Sequence, residues 1–210
     1  MEKLMDSHTI LYKDASIRIE KIVSSASELM FEFGENVQYL RAVEQFSTEK
    51  RKCEYLSVRL ALRHLLGRDV SVIYDSNGKP FLEDKSFNIS ISHTNNWVAV
   101  MVHPTMQVGI DIEKPTEKIK NIYTRFLSLT EQNELSQGRD ISLLQLAWSA
   151  KEALYKIIGK EAVDFKTQLQ ILAFEPKNAG MINAVHLLTN IHYELMYLRT
   201  PDFNLVYCLS

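Results

Sequence analysis

Apolar and polar positions along this chain follow two periods. Strict alternation runs through Val108-Gly109-Ile110-Asp111-Ile112-Glu113, so Val108, Ile110 and Ile112 share a core face and Gly109, Asp111 and Glu113 share the other. Trp97–Val102 is apolar on both faces and predicts a central, buried strand. Further strands are expected over Ile10–Tyr12, Ala15–Val23, Val70–Tyr74, Phe87–Ser92, Gln168–Phe174, Ile182–Leu188, His192–Leu198 and Leu205–Cys208. Asp75-Ser76-Asn77-Gly78 is a turn leading into Lys79-Pro80-Phe81. Helical spacing predicts one long helix capped by Thr48 and ending at Leu66-Gly67, and a second capped by Asp140, running Ile141–Ile158 and stopped by Gly159. Shorter helices are expected over Ser27–Phe33, Ile119–Leu127 and Glu131–Gln137. Runs of strands with a few long helices imply an α+β fold rather than a regular βαβ alternation.

The chain carries an internal echo. Ala15-Ser16-Ile17-Arg18-Ile19-Glu20-Lys21 resembles Val108–Lys114, and Leu60–Arg68 resembles Glu152–Lys160, in the same order and at nearly the same offset. Two related halves are therefore expected, over residues 1–105 and 106–210, each a long helix on a small sheet. Arg18 stands where the second half has Asp111, and Leu60 where it has Glu152, so one acidic site per chain is expected.

Composition narrows the function classes. A length of 210 residues with 46% apolar and 24% charged content is that of a soluble globular protein. The net charge of −2 provides no global field for nucleic acid or an anionic membrane. Cys53 and Cys208 are far apart, without metal-ligand spacing, and the six histidines lack paired spacing, which argues against zinc. Met1–Asp6 has no apolar core of a leader, and no apolar run reaches membrane-spanning length. A reduced, cytoplasmic protein is the expectation.

Candidate chemistry lies in two segments. On the Asp111–Glu113 face the Cα atoms of the two carboxylates are roughly 6.5 Å apart, close enough to share one hard cation. The intervening pattern places Gly109 beside them, read here as room for a ligand. In Trp148-Ser149-Ala150-Lys151-Glu152-Ala153-Leu154-Tyr155-Lys156, Glu152 and Lys156 are i,i+4 neighbours. Taken singly, the first is equally a solvated acidic face and the second an ordinary surface ion pair. Together they point to a divalent-metal site for a pyrophosphate, with Asp111, Glu113 and Glu152 as oxygen ligands.

These segments resemble the phosphopantetheinyl transferase family of the surfactin-synthetase-activating type. Val108–Glu113 fits its (V/I)-G-(V/I)-D-(I/V)-E motif and Trp148–Lys156 its W-x-x-K-E-A-x-x-K motif. Gly78-Lys79-Pro80 and Ile91-Ser92-His93-Thr94 match in the expected order. The resemblance implies a pseudo-twofold fold and Mg²⁺-dependent transfer (Mn²⁺ as a substitute) of the 4′-phosphopantetheine arm of coenzyme A to a serine of an apo acyl or peptidyl carrier protein, releasing adenosine 3′,5′-bisphosphate. It implies Glu152 and Lys156 as catalytic groups, Glu152 as base or metal ligand or both, and Lys156 beside the leaving group. It further implies Lys79, Ser92, His93 and Lys156 as coenzyme A contacts, with Arg59 the favoured 3′-phosphate ligand on a stripe with Lys52 and Arg63. Glu54 lies where relatives can carry a basic residue. A monomer is expected, because both halves are on one chain. Two other readings share the residues: a metal phosphoesterase using water on nucleotide pyrophosphates, and a non-catalytic coenzyme A or carrier-binding module. The sequence does not select among fatty-acid, polyketide and nonribosomal-peptide carriers.

Overall fold

The computed structural model describes residues 7–34, 36–135, 140–159 and 163–210. Met1–Asp6, the Gln137 end of the expected third short helix, and the Lys160 end of the repeat lie outside them.

The first half opens with the hairpin β1 (Ser7–Tyr12) and β2 (Ala15–Lys21), then α1 (Ala26–Glu32), α2 (Val37–Glu44) and the long α3 (Glu49–Leu66). A small hairpin, β3 (Val72–Tyr74) and β4 (Pro80–Leu82), precedes β5 (Asn88–Thr94) and β6 (Trp97–His103). The second half has β7 (Val108–Glu113), a 3₁₀ turn (Glu117–Asn121), α4 (Tyr123–Phe126), α5 (Leu129–Glu134), the long α6 (Ile141–Ile158), β8 (Leu169–Ile171), β9 (Ala179–His186), β10 (Ile191–Arg199) and β11 (Asn204–Leu209). One antiparallel sheet has the order β1-β2-β6-β5, and a second has the order β7-β11-β10-β9-β8. The fold is α+β.

Within the sheets, β2-β6-β5 in the first half is matched by β7-β11-β10 in the second. The long helices have 18 residues each and lie 92 positions apart. Even the register repeats: Ser16 pairs with Val102 as Gly109 pairs with Cys208. Ala15, Ile17 and Ile19 meet Val108, Ile110 and Ile112 in a core between the two sheets. Val58, Ala61 and Leu62 of α3 cover the outer face of the first sheet, while Leu146, Ala150, Ala153 and Leu154 of α6 cover that of the second. β6 is buried at every position and runs between β2 and β5, as its two apolar faces required.

The caps explain the boundaries. The Thr48 hydroxyl accepts from Arg51 N and Gly67 ends α3 at φ 69°. The Asp140 carboxylate accepts from Ser142 N and Leu143 N at the start of α6. Helix α2 does not stand out in the sequence pattern because its only buried residue is Tyr39, with Val37 and Leu40 exposed. The expected Ile119–Leu127 helix is a 3₁₀ turn followed by the four-residue α4. Among the described residues no helix is long and apolar enough to cross a membrane.

One expectation needs correcting. Gly109 leaves room for α6, not for a ligand: a Cβ there would stand 2.1 Å from Ala153 O and 2.9 Å from Ile157 Cγ1. Ala153 O is helix backbone, so relief of the clash needs α6 to shift as a whole. Gly109→Ala should therefore cost about 3 kcal/mol or more, the upper range of overpacking, read as a lowered urea midpoint with an unchanged slope.

Candidate active site

The close approach at Gly109 brings one face of α6 onto one face of β7. Lys156 Nζ donates to Ile110 O at 2.7 Å and to Asp111 Oδ1 at 3.0 Å. Asp111 is 4% exposed, and its Oδ2 is buried without a hydrogen-bond partner. Glu113 lies two residues on, on the same face. Burial, followed by the charge of Asp111, raises its pKa, while Trp148 and Thr94 oppose that rise. Glu152 is pushed up to about 7 by burial, then by Asp111, with Lys156 pulling it down and Glu113 adding to the rise. The three carboxylates thus sense one another across a poorly solvated space.

β5, the edge strand of the other sheet, closes this space. Ser92 Oγ accepts from Ile112 N at 3.2 Å and donates to Asp111 Oδ1 at 3.0 Å. Thr94 Oγ1 accepts from Lys114 N at 3.2 Å and donates to Glu113 Oε2 at 3.3 Å. Ser90 Oγ accepts from Ile110 N at 3.1 Å.

A groove runs outward from the carboxylates. Its first hollow, about 260 Å³, is lined by Gly78, Lys79, Pro80, Ile91, Glu152, Tyr155 and Lys156 among others. A second, about 400 Å³, shares Gly78, Pro80 and Ile91 and adds Arg51, Tyr55, Arg59 and His93. Arg59 is 4% exposed, stacks on Tyr55 at 3.7 Å, and its Nε is buried without a partner. Arg51 bonds Glu54 at 2.8 Å and lies 3.3 Å from His93 Nε2. Burial holds the His93 pKa low, against the pull of Glu54. Lys79 is lowered by burial, with Asp75 opposing, and donates to Gln107 Oε1 at 3.0 Å. The two hollows are thus lined by Lys79 and Lys156 and by Arg51, Arg59 and His93, with the carboxylate of Glu152 in the first and of Glu54 in the second, an arrangement able to take an elongated polyanion.

Residues 107–204 match the family model described as the 4′-phosphopantetheinyl transferase superfamily. Similar proteins include the 4′-phosphopantetheinyl transferase of Bacillus subtilis, 33% identical over 112 residues, 49% of each chain. HetI of Nostoc sp. is 28% identical over 136 residues, 57% of each chain. AcpT of Escherichia coli is 27% identical over 125 residues, 57% of this chain and 64% of that one. The matched stretch spans about half the length of the first two of these relatives.

Within this matched segment the structure gathers Asp111, Glu113, Glu152 and Lys156, and Lys79 of the first half lines the hollow with Glu152 and Lys156. Among the described residues no group of three or more His, Cys, Asp or Glu side chains is already arranged as a metal centre. Lys156 occupies part of the place a cation would take. The donor set nevertheless fits a hard divalent ion: all its atoms are carboxylate oxygens, one of them a buried orphan. Ser92 bonds Asp111 and the backbone of β7, while its neighbour His93 lines the second hollow. Arg63 is held by Asp69 at 2.8 Å and by Glu32 O, so it serves the fold. Arg51 is the basic residue that sequence reasoning missed. The stripe facing the groove is Arg51, Glu54, Tyr55, Val58 and Arg59, at i, i+3, i+4, i+7 and i+8, and a register begun at Arg51 rather than Lys52 would have found it.

The motif lysine beside Glu152 points elsewhere. Lys151 is fully buried and donates to Glu131 at 2.7 Å and to Phe126 O, Phe165 O and Leu169 O at 2.7–2.9 Å. Glu131 also accepts from Ser128 N and Ile171 N. The rings of Phe126 and Phe165 pack on Trp148, so this pair fixes the aromatic wall behind Glu113. Lys151→Met should lower stability by about 3–5 kcal/mol, because it leaves the Glu131 carboxylate buried and unpaired; chemical denaturation would show it. The raised Glu152 pKa has its own consequence. Folded above the unfolded value, it contributes stability that is fully present below pH 4.5 and lost as pH rises through about 7. The metal-free protein should lose melting temperature between pH 5 and 8 through this group, and added Mg²⁺ should raise the melting temperature more at pH 8 than at pH 5.

Proposed function

We propose that this protein is a 4′-phosphopantetheinyl transferase of the surfactin-synthetase-activating type, moving the phosphopantetheine arm of coenzyme A to a serine of an apo acyl or peptidyl carrier protein. The observation that carries this reading is the meeting of Glu152, Asp111, Glu113 and Lys156 at one end of a groove whose other end holds Arg59, Arg51 and His93. The duplicated halves support the two-half type of enzyme.

In the reaction, the carrier serine Oγ attacks the phosphorus that bears the pantetheine arm, and the bond to the bridging pyrophosphate oxygen breaks. Glu152 accepts the serine proton, directly or through water. Lys156 neutralises charge on the departing adenosine 3′,5′-bisphosphate. Lys79 and His93 orient the pyrophosphate, and Arg59 and Arg51 take the 3′-phosphate by bidentate and stacked contacts that a lysine would not reproduce. Asp111, Glu113 and Glu152 would hold Mg²⁺, or Mn²⁺ in its place; when bound, the ion supplies charge neutralisation on the phosphoryl oxygens. Cytoplasmic location and a monomeric state belong to the same proposal.

The direct test mixes the protein, coenzyme A and Mg²⁺ with a panel of apo carriers and follows intact mass. A gain of the phosphopantetheine mass on a carrier is expected. Release of phosphopantetheine without carrier modification would favour the phosphoesterase, and binding without turnover the non-catalytic module. Glu152→Gln should abolish transfer with the fold intact. Arg59→Lys should raise KM for coenzyme A about tenfold, near 1.4 kcal/mol, while leaving KM for 3′-dephospho-coenzyme A unchanged.

A further inference from the structure

β5 and β7 belong to different sheets and share no backbone ladder. In place of one, the hydroxyls at every second position of β5 accept every second backbone N–H along β7 and the residue after it: Ser90 from Ile110, Ser92 from Ile112, Thr94 from Lys114. Each hydroxyl has one proton left to give. Ser92 gives it to Asp111 at 3.0 Å and Thr94 to Glu113 at 3.3 Å. Asp111 Oδ1 thereby receives both Ser92 and Lys156, which turns the buried Oδ2 away from them and leaves it without a partner. His93, between the two hydroxyls in sequence, faces the groove. One strand of the first half therefore sets the carboxylates of the second half and lines the groove for the substrate.

We infer that Ser92 and Thr94 are positioning residues that aim Asp111 and Glu113 at a divalent cation, with the hydroxyl ladder fixing the register between the substrate groove and the metal carboxylates. This rests on the metal-dependent reading above. It assigns Ser92 to the ligand-bearing strand rather than to coenzyme A.

The test uses the full chain, Mn²⁺ as probe with coenzyme A present, electron paramagnetic resonance to count bound Mn²⁺, thermal unfolding, and steady-state transfer. Ser92→Ala should lower Mn²⁺ affinity and kcat about 10- to 100-fold, the range for loss of a partner that orients a metal ligand. KM for coenzyme A should stay near the wild-type value. Ser92→Thr, which keeps the hydroxyl, should restore both. Ser90→Ala, which loses a rung with no carboxylate attached, calibrates the fall in melting temperature. Thr94→Val and Thr94→Ser repeat the comparison at a half-buried position if Ser92→Ala does not fold. Wild-type Mn²⁺ affinity in Ser92→Ala or Thr94→Val, with only a melting loss like that of Ser90→Ala, would overturn the inference. A raised KM for coenzyme A at unchanged Mn²⁺ affinity would also overturn it. Failure of the wild type to bind Mn²⁺ would overturn the metal reading itself, and this inference with it.

Discussion

The contact on which this site depends is that of the α6 backbone with β7 at Gly109, where Ala153 O stands 2.1 Å from the position of a Cβ. No side chain intervenes, so helix and strand lie closer than two side-chain layers would allow. At that separation Lys156 reaches both a β7 carbonyl and Asp111, and Glu152, one helical turn earlier, comes within the field of Asp111 and Glu113. A larger residue at 109 would push the helix out and dissolve the cluster. The glycine thus acts by its absence of volume, at a place that α6 covers.

Three carboxylates on so small and dry a surface repel each other. The structure offsets this with local donors: the Lys156 ammonium and the Ser92 and Thr94 hydroxyls. It does not cancel it, since Glu113 and Glu152 both remain above their ordinary values. A site left short of positive charge suits one that takes up a hard cation. The first half shows the opposite solution at the equivalent place. Glu20, the counterpart of Glu113, accepts from Arg18 Nε at 2.9 Å and lies 2.7 Å from His64 Nδ1. Arg18 and His64 stand where the second half has Asp111 and Lys156, so that copy is closed by its own basic side chains and its Glu152 position is Leu60.

Behind the reactive face, the fully buried Lys151–Glu131 pair gathers α4, α5, β8 and the segment before it around α6. A buried ion pair is weak evidence of net stabilisation against an apolar replacement. Its use here is directional: one ammonium satisfies three main-chain carbonyls that no regular ladder serves, and so holds irregular segments that carry the aromatic wall beside Trp148. The adjacent residues Lys151 and Glu152 therefore divide their work, one turned into the core and one into the groove.

Much of this was legible in the chain. Period-two alternation set the β7 faces, capping residues set both ends of α3 and α6, and a repeated pattern at one offset announced the two halves. Those features are local, and local geometry follows from spacing. The motifs also marked Asp111, Glu113, Glu152 and Lys156 as belonging together. The sequence could not say what each side chain meets across the fold, because such partners lie tens of residues away. Gly109 reads as an open space until α6 is seen against it. Ser92 gives no sign of its bonds to β7, nor Lys151 of its carbonyl cage, until the strands and helices are seen together. Spacing along the chain determined which residues share a face. Only the packing of one sheet edge and one helix on β7 decided which of those faces meet, because hydrogen bonds and charge coupling depend on distances through space that the order of residues does not contain.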